Sequence, residues 1–455
     1  MQAGSTIVAL STPPGRSGIG VIRISGENAL GITRSLIRDQ DFSPEPNRVT
    51  LKPVFDPDTL EIIDRAVVTY FKSPYSYTGD DVVELSCHGS PPLILRILDS
   101  LLLFGARAAD PGEFTMRAVY NGRLNLTQAE AVRDLIDAQT HAAVRQAARQ
   151  LGGELSKRLQ PIKDVLLEMI VPLESSLEFV EDDLPEDIAH NIEQRLKALS
   201  TKVDELADSF RRGRLLKDGL RVALIGRPNV GKSSLFNSLL SSDRAIVTEI
   251  PGTTRDTISE VINIEGIPLL ITDTAGVRSS SDRIEQLGIE RTRQTIADAD
   301  LILTILDGSQ PLTAEDEEIV REASANRCII ALNKSDLESF CSNYAQLFGN
   351  NLISVSVSAK TGDGLDALCR AIIKPFTDNY LDENSFVITN ARHYDLLTHT
   401  SEALRAAQGL IREKVSEELI LANLYEALRF LGEITGETTP EDILSQIFST
   451  FCIGK

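Results

Sequence analysis

The chain has 455 residues, of which 25% are charged and 42% are hydrophobic, and its formal net charge is −20. This length exceeds what one ordinary hydrophobic core accommodates, so the composition predicts a globular protein of roughly two to four domains. The acidic balance argues against a protein whose whole surface binds nucleic acid, although it leaves room for a local basic patch. No apolar run approaches the ~18 residues of a membrane span, and the N-terminus lacks a secretory pattern, so we expect no membrane association.

The cysteines indicate a reducing environment. There are five, an odd number, and none belongs to a CxxC pair. Scattered cysteines of this kind are typical of a cytoplasmic protein without disulfides or a structural metal. We therefore expect a cytoplasmic location.

The first ~120 residues mix short strands and helices, by the periodicity of their apolar residues. Two charges interrupt apolar strands: Arg23 lies between Ile22 and Ile24, and Glu84 lies within the predicted strand 82–87. Because successive strand residues point to opposite faces, each charge points away from the apolar side of its strand. This pattern predicts either a solvated sheet face or a polar ligand pocket with paired charges.

Helical periodicity runs from residue 126 to about residue 216 and returns after about residue 384. Pro161 and Pro172 predict kinks or helix boundaries, and residues 211–219 look like a linker. Residues 392–431 look largely helical, with one Gly409. Between the two helical parts, strands and helices alternate, which indicates a mostly parallel sheet. The economical interpretation is one helical domain with an α/β domain inserted into it.

A GxxxxGKS pattern opens the α/β segment, between an apolar strand at 220–225 and an amphipathic helix. Its glycines let backbone N–H groups point into one concavity, and the helix N-terminus adds a positive dipole end. Lys232 would reach the outer phosphates, and the Ser233 hydroxyl would ligate Mg²⁺. The predicted phosphate contacts are Asn229, Val230, Gly231, Lys232, Ser233 and Ser234.

Four further motifs follow in the order that a guanine-nucleotide switch requires. The first of these motifs, the first switch, is Gly-Thr-Thr-Arg-Asp at 252–256, where Thr254 is the candidate contact for Mg²⁺ and the γ-phosphate. The second motif is Asp-Thr-Ala-Gly at 273–276, where Asp273 would hold Mg²⁺ through water. The remaining predicted contacts on these two segments are Thr248, Glu249, Ile250, Pro251, Gly252, Thr253, Thr274, Ala275 and Gly276. Five motifs in order across one α/β segment predict a GTP and GDP site with Mg²⁺.

The last two motifs would recognise the base. The Asp336 carboxylate offers two acceptors to the ring N–H and the exocyclic amine of guanine, and adenine lacks both donors on that edge. The Lys334 stem would cover the base face, and backbone after the next strand would donate to the guanine carbonyl. The predicted base contacts are Asn333, Lys334, Ser335, Asp336, Ser358, Ala359 and Lys360.

One departure concerns hydrolysis. Val277 follows the second motif, where Ras-type enzymes carry a glutamine that orients water. Glu285 lies on the second switch and would either act through water or be an ordinary exposed glutamate. Arg255 and Arg278 lie nearby, but neither is identifiable as an arginine finger.

A monovalent cation would supply the missing positive charge if oxygen ligands surrounded it. Asn229 offers a side-chain oxygen beside the phosphates, and the carbonyls of Thr248, Ile250 and Thr253 could surround the same point. The alternative is that Asn229 only braces the loop.

Taken together, these residues resemble the MnmE (TrmE) family of tRNA-modification GTPases. The likeness covers the whole chain: the strand at 20–26, the run 125–131, the inserted nucleotide domain and the C-terminal Cys-Ile-Gly-Lys. The resemblance implies an N-terminal α+β tetrahydrofolate-binding and dimerisation domain over 1–120. It further implies a helical domain in two parts, 121–217 and 379–455, and an inserted Ras-like P-loop GTPase domain over 218–378.

The resemblance also implies a chemistry and its partners. In such proteins 5-formyl- or methylene-tetrahydrofolate supplies one carbon, and a homodimer works with the flavoprotein MnmG in a heterotetramer. Together they build an aminomethyl or carboxymethylaminomethyl group on the wobble uridine of certain tRNAs. The folate contacts carried over are Arg23, Glu84, Arg123 and Lys455. The resemblance assigns Glu285 as the catalytic glutamate and implies a K⁺ site at the oxygens described above, with two nucleotide domains meeting across their nucleotides.

Two other interpretations are open at this point. A GTPase switch in ribosome or membrane assembly would use no folate, and a plain RNA-binding scaffold is disfavoured by the net charge. Within the family interpretation, the basic residues at 211–217 are either a solvated linker or contacts to tRNA phosphates. This cluster consists of Arg211, Arg212, Arg214 and Lys217.

Overall fold

The computed structural model describes residues 4–178, 186–241, 259–273, 297, 299–342, 352–377, 385–437 and 447–454. The chain forms two compact units. The first comprises residues 1–133, 150–185 and 410–455, and the second comprises residues 134–149 and 186–409. Among the described helices, none is long and apolar enough to cross a membrane.

The first unit contains a six-stranded sheet in the order β3-β4-β5-β2-β1-β6. Its neighbours pair antiparallel except β1 and β6, which are parallel. The strands are β1 (Ile7–Leu10), β2 (Ser17–Ser25), β3 (Val49–Phe55), β4 (Ile62–Phe71), β5 (Val82–Gly89) and β6 (Arg107–Ala108).

Two helices, Ala29–Ile37 and Pro91–Leu103, cover one face of this sheet. Their apolar residues form one core with Ile22, Ile24 and Leu85 of the central strands. Arg23 and Glu84 stand opposite each other in the register of β2 and β5. Because they alternate with those buried residues, they lie on the other face, as the sequence predicts.

The described helices of the remaining first-unit segments include one that contains both Pro161 and Pro172. They are Glu113–Tyr120, Glu154–Glu178 and Glu417–Thr435, together with parts of Leu126–Asp137 and His141–Leu151. Pro161 and Pro172 lie inside Glu154–Glu178, so the prediction that either ends a helix is wrong. Leu159, Leu166 and Leu173 are fully buried along that helix. Their burial stabilises the helix across the positions where each proline removes a backbone donor.

The second unit contains a sheet in the order β12-β11-β10-β7-β9-β8. All neighbours are parallel except the hairpin β8–β9. The strands are β7 (Leu220–Ile225), β8 (Ser259–Ile264), β9 (Ile267–Asp273), β10 (Leu301–Asp307), β11 (Cys328–Asn333) and β12 (Ile353–Ser356). Every residue of β10 is buried, which accounts for its unbroken apolar run.

The described helices beside this sheet are Lys232–Ser241, Ala314–Ala323 and Leu365–Thr377. The carboxyl ends of β7, β10, β11 and β12 lie at one edge, because these strands are parallel. In open α/β sheets this edge is where ligands bind. The fold therefore brings the phosphate loop and both base motifs to the same edge.

The described helices outside that sheet test two predictions made from the sequence. They are Glu186–Asp208, Phe210–Asp218 and Ala391–Arg412. Residues 211–219 are mostly helical, so the predicted linker is wrong. The prediction that residues 392–431 are largely helical is confirmed, because one helix ends at Arg412 and the next begins at Glu417.

Candidate functional site

The phosphate loop turns sharply as it leaves β7. Gly226 has a φ of +149°, and a Cβ there would lie 2.4 Å from the carbonyl oxygen of Ile305. Asn229 and Gly231 also adopt positive φ, at +64° and +97°. Lys232 bends back across the loop, and its Nζ donates to the carbonyls of Gly226 at 2.6 Å and Arg227 at 2.7 Å. This arrangement holds a positive charge over the loop that a phosphate would occupy.

The side chain of Asn333 joins three of the predicted motifs. Its Nδ2 donates to the carbonyl of Val230 at 2.9 Å, and its Oδ1 accepts from the Ala359 amide at 3.0 Å. Asn333 is 2% exposed, so these bonds lie in a dry environment where an unmade one would be costly. The asparagine therefore braces the phosphate loop against the base-recognition segments.

The base-recognition aspartate is held by a neighbouring hydroxyl. Ser358 Oγ donates to Asp336 Oδ1 at 2.7 Å and accepts from the Thr361 amide at 3.1 Å. The hydrogen bond from Ser358 lowers the pKa of Asp336, with desolvation opposing it. The carboxylate is therefore ionised at neutral pH, which is the form that accepts two hydrogen bonds from guanine.

Two carboxylates that sequence reasoning missed, Asp307 and Asp316, accept hydrogen bonds from residues of the nucleotide motifs. Lys334, which adopts a φ of +69°, donates from Nζ to Asp307 Oδ2 at 2.6 Å. Arg227 donates from Nε to Asp316 Oδ1 at 2.6 Å. Asp307 and Asp316 belong to no motif; their only sequence signal is that Asp307 ends β10 at the ligand-binding edge and Asp316 lies in the first turn of the next helix.

Part of the predicted site lies outside the described residues. This applies to the proposed catalytic Glu285, to Lys455, and to Val277, Arg255 and Arg278. It also applies to most of the two switch segments, namely Thr248, Glu249, Ile250, Pro251, Gly252, Thr253, Thr254, Thr274, Ala275 and Gly276. The backbone of Asp273 ends β9, and its side chain lies outside the described part of the chain.

In the first unit, Arg23 and Glu84 form an ion pair. Arg23 Nη2 lies 2.8 Å from Glu84 Oε1, and their side chains are 15% and 26% exposed. The Arg23 guanidinium also lies over two aromatic rings, 5.4 Å from the centroid of Tyr77 and 5.7 Å from that of Phe114. The two charges are therefore paired and partly shielded from water, which argues against a plain solvated face, while the ligand pocket stays a prediction.

The C-terminal segment reaches the same pair. The Gly454 carbonyl accepts from Ser11 Oγ at 3.2 Å and lies 3.5 Å from Arg23 Nη1. Phe448 and Phe451 anchor the segment in an apolar cluster with Leu126. The residue before Lys455 is therefore placed at the ion pair.

Arg123 approaches this region from a different loop. It is exposed, and its Cγ would lie 3.3 Å from a Cβ built on Gly79, two residues after Tyr77. The structure therefore brings Arg123 beside the loop that carries Tyr77, one of the two rings under the Arg23 guanidinium. Tyr77 and Phe114 were missed from sequence, because nothing in the local pattern distinguishes a ring under a guanidinium from an ordinary core aromatic.

The basic cluster is partly engaged within the protein. Lys217 Nζ lies 2.7 Å from Asp134 Oδ1, and Asp134 is 8% exposed. Arg214 lies 3.8 Å from Asp300, whereas Arg211 is exposed. Lys217 therefore has a structural role, and the cluster is a weaker candidate for phosphate binding than its composition indicates.

Comparisons with known proteins cover the whole chain. One family model, the MnmE helical domain, matches residues 126–452, and another, the GTP-binding protein TrmE N-terminus, matches residues 6–123. The tRNA modification GTPase MnmE of Koribacter versatilis is 44% identical, with 100% of both chains covered. Those of Aquifex aeolicus and Natranaerobius thermophilus are 43% and 41% identical, with 99% of each chain covered.

The chain belongs to the MnmE family of tRNA modification GTPases. This membership confirms the family prediction and the predicted fold class, with a TrmE-type N-terminal domain, a helical domain and a P-loop GTPase domain. The prediction of a GTP hydrolase is likewise confirmed. A GTPase of this family binds GTP, GDP and Mg²⁺, and the loop around Lys232 and Ser233 has the residues to hold them.

Proposed function

We propose that the chain is the GTP-hydrolysing subunit of a tRNA wobble-uridine modification system in the cytoplasm. It adds an aminomethyl or carboxymethylaminomethyl group at the five-position of the wobble uridine, as a homodimer together with the flavoprotein MnmG. A reduced folate, 5-formyl- or methylene-tetrahydrofolate, supplies the one-carbon unit. The observation that carries this proposal is the Arg23–Glu84 pair beside the C-terminal segment, in a chain of this family.

The chemistry of a reduced folate fits that pair. A pterin presents N–H donors that a carboxylate such as Glu84 accepts, and the glutamate tail presents carboxylates that arginines bind. The aromatic rings of Tyr77 and Phe114 already flank the Arg23 guanidinium. Arg123 and Lys455 would add positive charge at the rim. A GTPase switch in ribosome or membrane assembly has no use for such a pocket.

Replacing Arg23 by alanine is expected to weaken binding of 5-formyl-tetrahydrofolate by tenfold or more. The substitution leaves Glu84 without its partner in a site that is largely shielded from water, so both the ligand contact and the orientation of the carboxylate are lost. Deleting Lys455 should also weaken folate binding, and neither change should alter GDP affinity. Isothermal calorimetry with the two ligands measures both effects.

The matched control is Arg48→Ala, which removes an arginine that is 76% exposed on the same unit. Its folate affinity should equal that of the unchanged protein. Unchanged folate affinity in both Arg23→Ala and the Lys455 deletion would rule the folate pocket out.

We further propose that K⁺ and Glu285 together replace the missing arginine finger and glutamine. Asn229 is exposed at the phosphate loop with a left-handed backbone, a conformation that asparagine tolerates. Its side-chain oxygen would then complete the cation site with carbonyls of Thr248, Ile250 and Thr253. Two nucleotide domains that meet across their nucleotides would place Glu285 correctly.

The cation proposal predicts faster GTP hydrolysis, and stronger association of the nucleotide domains, in K⁺ than in Na⁺ at matched ionic strength. The decisive variant is Asn229→Gly, because glycine removes the side-chain oxygen without straining the positive φ of +64°. This variant should no longer hydrolyse GTP faster in K⁺ than in Na⁺, and it should keep most of its GDP affinity. A positive charge beside the γ-phosphate in the transition state can be worth ~10³-fold in rate. Equal turnover of the intact protein in both salts would refute the cation site.

A further inference from the structure

The segment from the end of β10 to the start of the next helix contains two buried carboxylates, each paired with a residue of a different nucleotide motif. Asp316 accepts from Arg227 of the phosphate loop, and Asp307 accepts from Lys334 of the base-recognition motif, both at 2.6 Å. The two aspartate side chains are 1% and 5% exposed. Burying a carboxylate costs free energy unless a cation and hydrogen-bond donors occupy its oxygens.

Asp316 is held rigidly by the start of its own helix. Its Oδ2 accepts from the Thr313 amide and from Thr313 Oγ1, both at 2.9 Å, and Thr313 caps helix Ala314–Ala323. The carboxylate therefore cannot turn away from Arg227. Because the Arg227 carbonyl accepts from Lys232, the Arg227 side chain anchors the loop residue on which that lysine rests.

Asp307 is held in the same manner. Its Oδ1 accepts from the amide and the hydroxyl of Ser309, at 3.0 and 2.6 Å. Burial raises the pKa of Asp307, but hydrogen bonds from Lys334 and Ser309 outweigh it, so the pKa lies below its ordinary value. The Gly308 amide also donates to the Asn333 carbonyl at 3.0 Å, which ties the two loops together through the backbone.

We propose that Asp316 and Asp307 are positioning residues for guanine-nucleotide binding, one for each end of the ligand. Asp316 acts through Arg227 on the phosphate loop, and Asp307 acts through Lys334 on the base-recognition loop. Neither carboxylate touches the nucleotide. The proposal rests on nucleotide binding at these motifs, and it assigns a function to a segment outside all five of them.

The two roles can be distinguished by comparing GDP with inosine diphosphate (IDP), which has the same phosphates but lacks the exocyclic amine of guanine. Asp316→Asn should accelerate dissociation of GDP and IDP by the same factor, roughly tenfold, since a charge-assisted bond on the phosphate side is lost. Asp307→Asn should instead change the ratio of GDP to IDP affinity by roughly threefold or more, since the base loop is displaced. Stopped-flow dissociation of fluorescent GDP, with competition by GDP and IDP, measures both quantities.

A double-mutant cycle separates positioning from plain stability. If Asp316 acts through Arg227, then Arg227→Met and Asp316→Asn together should lose no more affinity than either alone. Asp56→Asn is the matched control, because Asp56 is a buried aspartate that pairs with Arg96 and accepts backbone amides in the other unit. It should lower thermal stability and leave nucleotide dissociation unchanged.

Three results bear on the proposal separately. Dissociation of GDP within twofold of the unchanged protein in Asp316→Asn would overturn the phosphate-end role. An unaltered ratio of GDP to IDP affinity in Asp307→Asn would overturn the base-end role. Failure of the unchanged protein to bind GDP at all would instead overturn the nucleotide site on which both roles depend.

Discussion

Replacing Asp336 by asparagine is expected to convert the protein from a guanine-nucleotide binder into a xanthine-nucleotide binder. Ser358 Oγ donates to Asp336 Oδ1 at 2.7 Å, so an asparagine would keep its oxygen on that side and place its amide nitrogen at the other. That nitrogen donates to the two-position carbonyl of xanthine but opposes the amine of guanine. A site whose hydrogen-bond donor faces another donor discriminates strongly against that ligand. Affinity for GTP should therefore fall by roughly 10³-fold or more.

Competition between GTP and XTP for the purified protein measures this switch. The control is Asp363→Asn, because Asp363 is a carboxylate on the following loop that accepts from Thr361 Oγ1. The control should retain its preference for GTP. An Asp336→Asn variant that binds GTP within threefold of the unchanged protein would show that guanine is recognised elsewhere.

Two glycines inside helices of the second unit are expected to respond to alanine with opposite signs. Gly213 lies in helix Phe210–Asp218, where a Cβ would lie 1.9 Å from the carbonyl oxygen of Ile388. Gly409 lies in helix Ala391–Arg412, where a Cβ would meet nothing within 4 Å. Alanine is the better helix former at both, so the difference isolates the backbone contact at Gly213.

Gly213→Ala should lower the free energy of unfolding by about 3 kcal/mol, because overpacking against backbone cannot be relieved by a side-chain rotation. Gly409→Ala should raise it by about 0.5–1 kcal/mol. Chemical denaturation of the two variants under identical conditions measures both changes. Gain of stability in both would show that helix Phe210–Asp218 does not contact the segment at Ile388.

Local pattern was enough to predict the strands and the motif loops. Strand β7 coincides with the apolar strand predicted at 220–225, and β5 begins at the start of the strand predicted over 82–87 and extends two residues beyond it. Alternation also predicted that Arg23 and Glu84 lie on the face opposite their apolar neighbours. These features depend on neighbouring residues, which the sequence displays directly.

What the sequence did not reveal depends on residues far apart in the chain. The choice between a solvated face and paired charges for Arg23 and Glu84 needs the register of β2 against β5, and the position of Arg23 over the rings of Tyr77 and Phe114 needs the fold of two further segments. Gly213 looked like a linker residue because its contact at Ile388 is non-local. Asp307 and Asp316 carry no motif, so only their contacts with Lys334 and Arg227 reveal them.

The most direct test of the proposed function is mass spectrometry of wobble uridines in tRNA from cells that lack this chain. We predict that aminomethyl- and carboxymethylaminomethyl-uridine disappear from these tRNAs. Expression of the wild-type protein should restore them, whereas expression of Arg23→Ala or Asp336→Asn should not. Normal levels of these modified uridines in cells without the chain would contradict the proposed function.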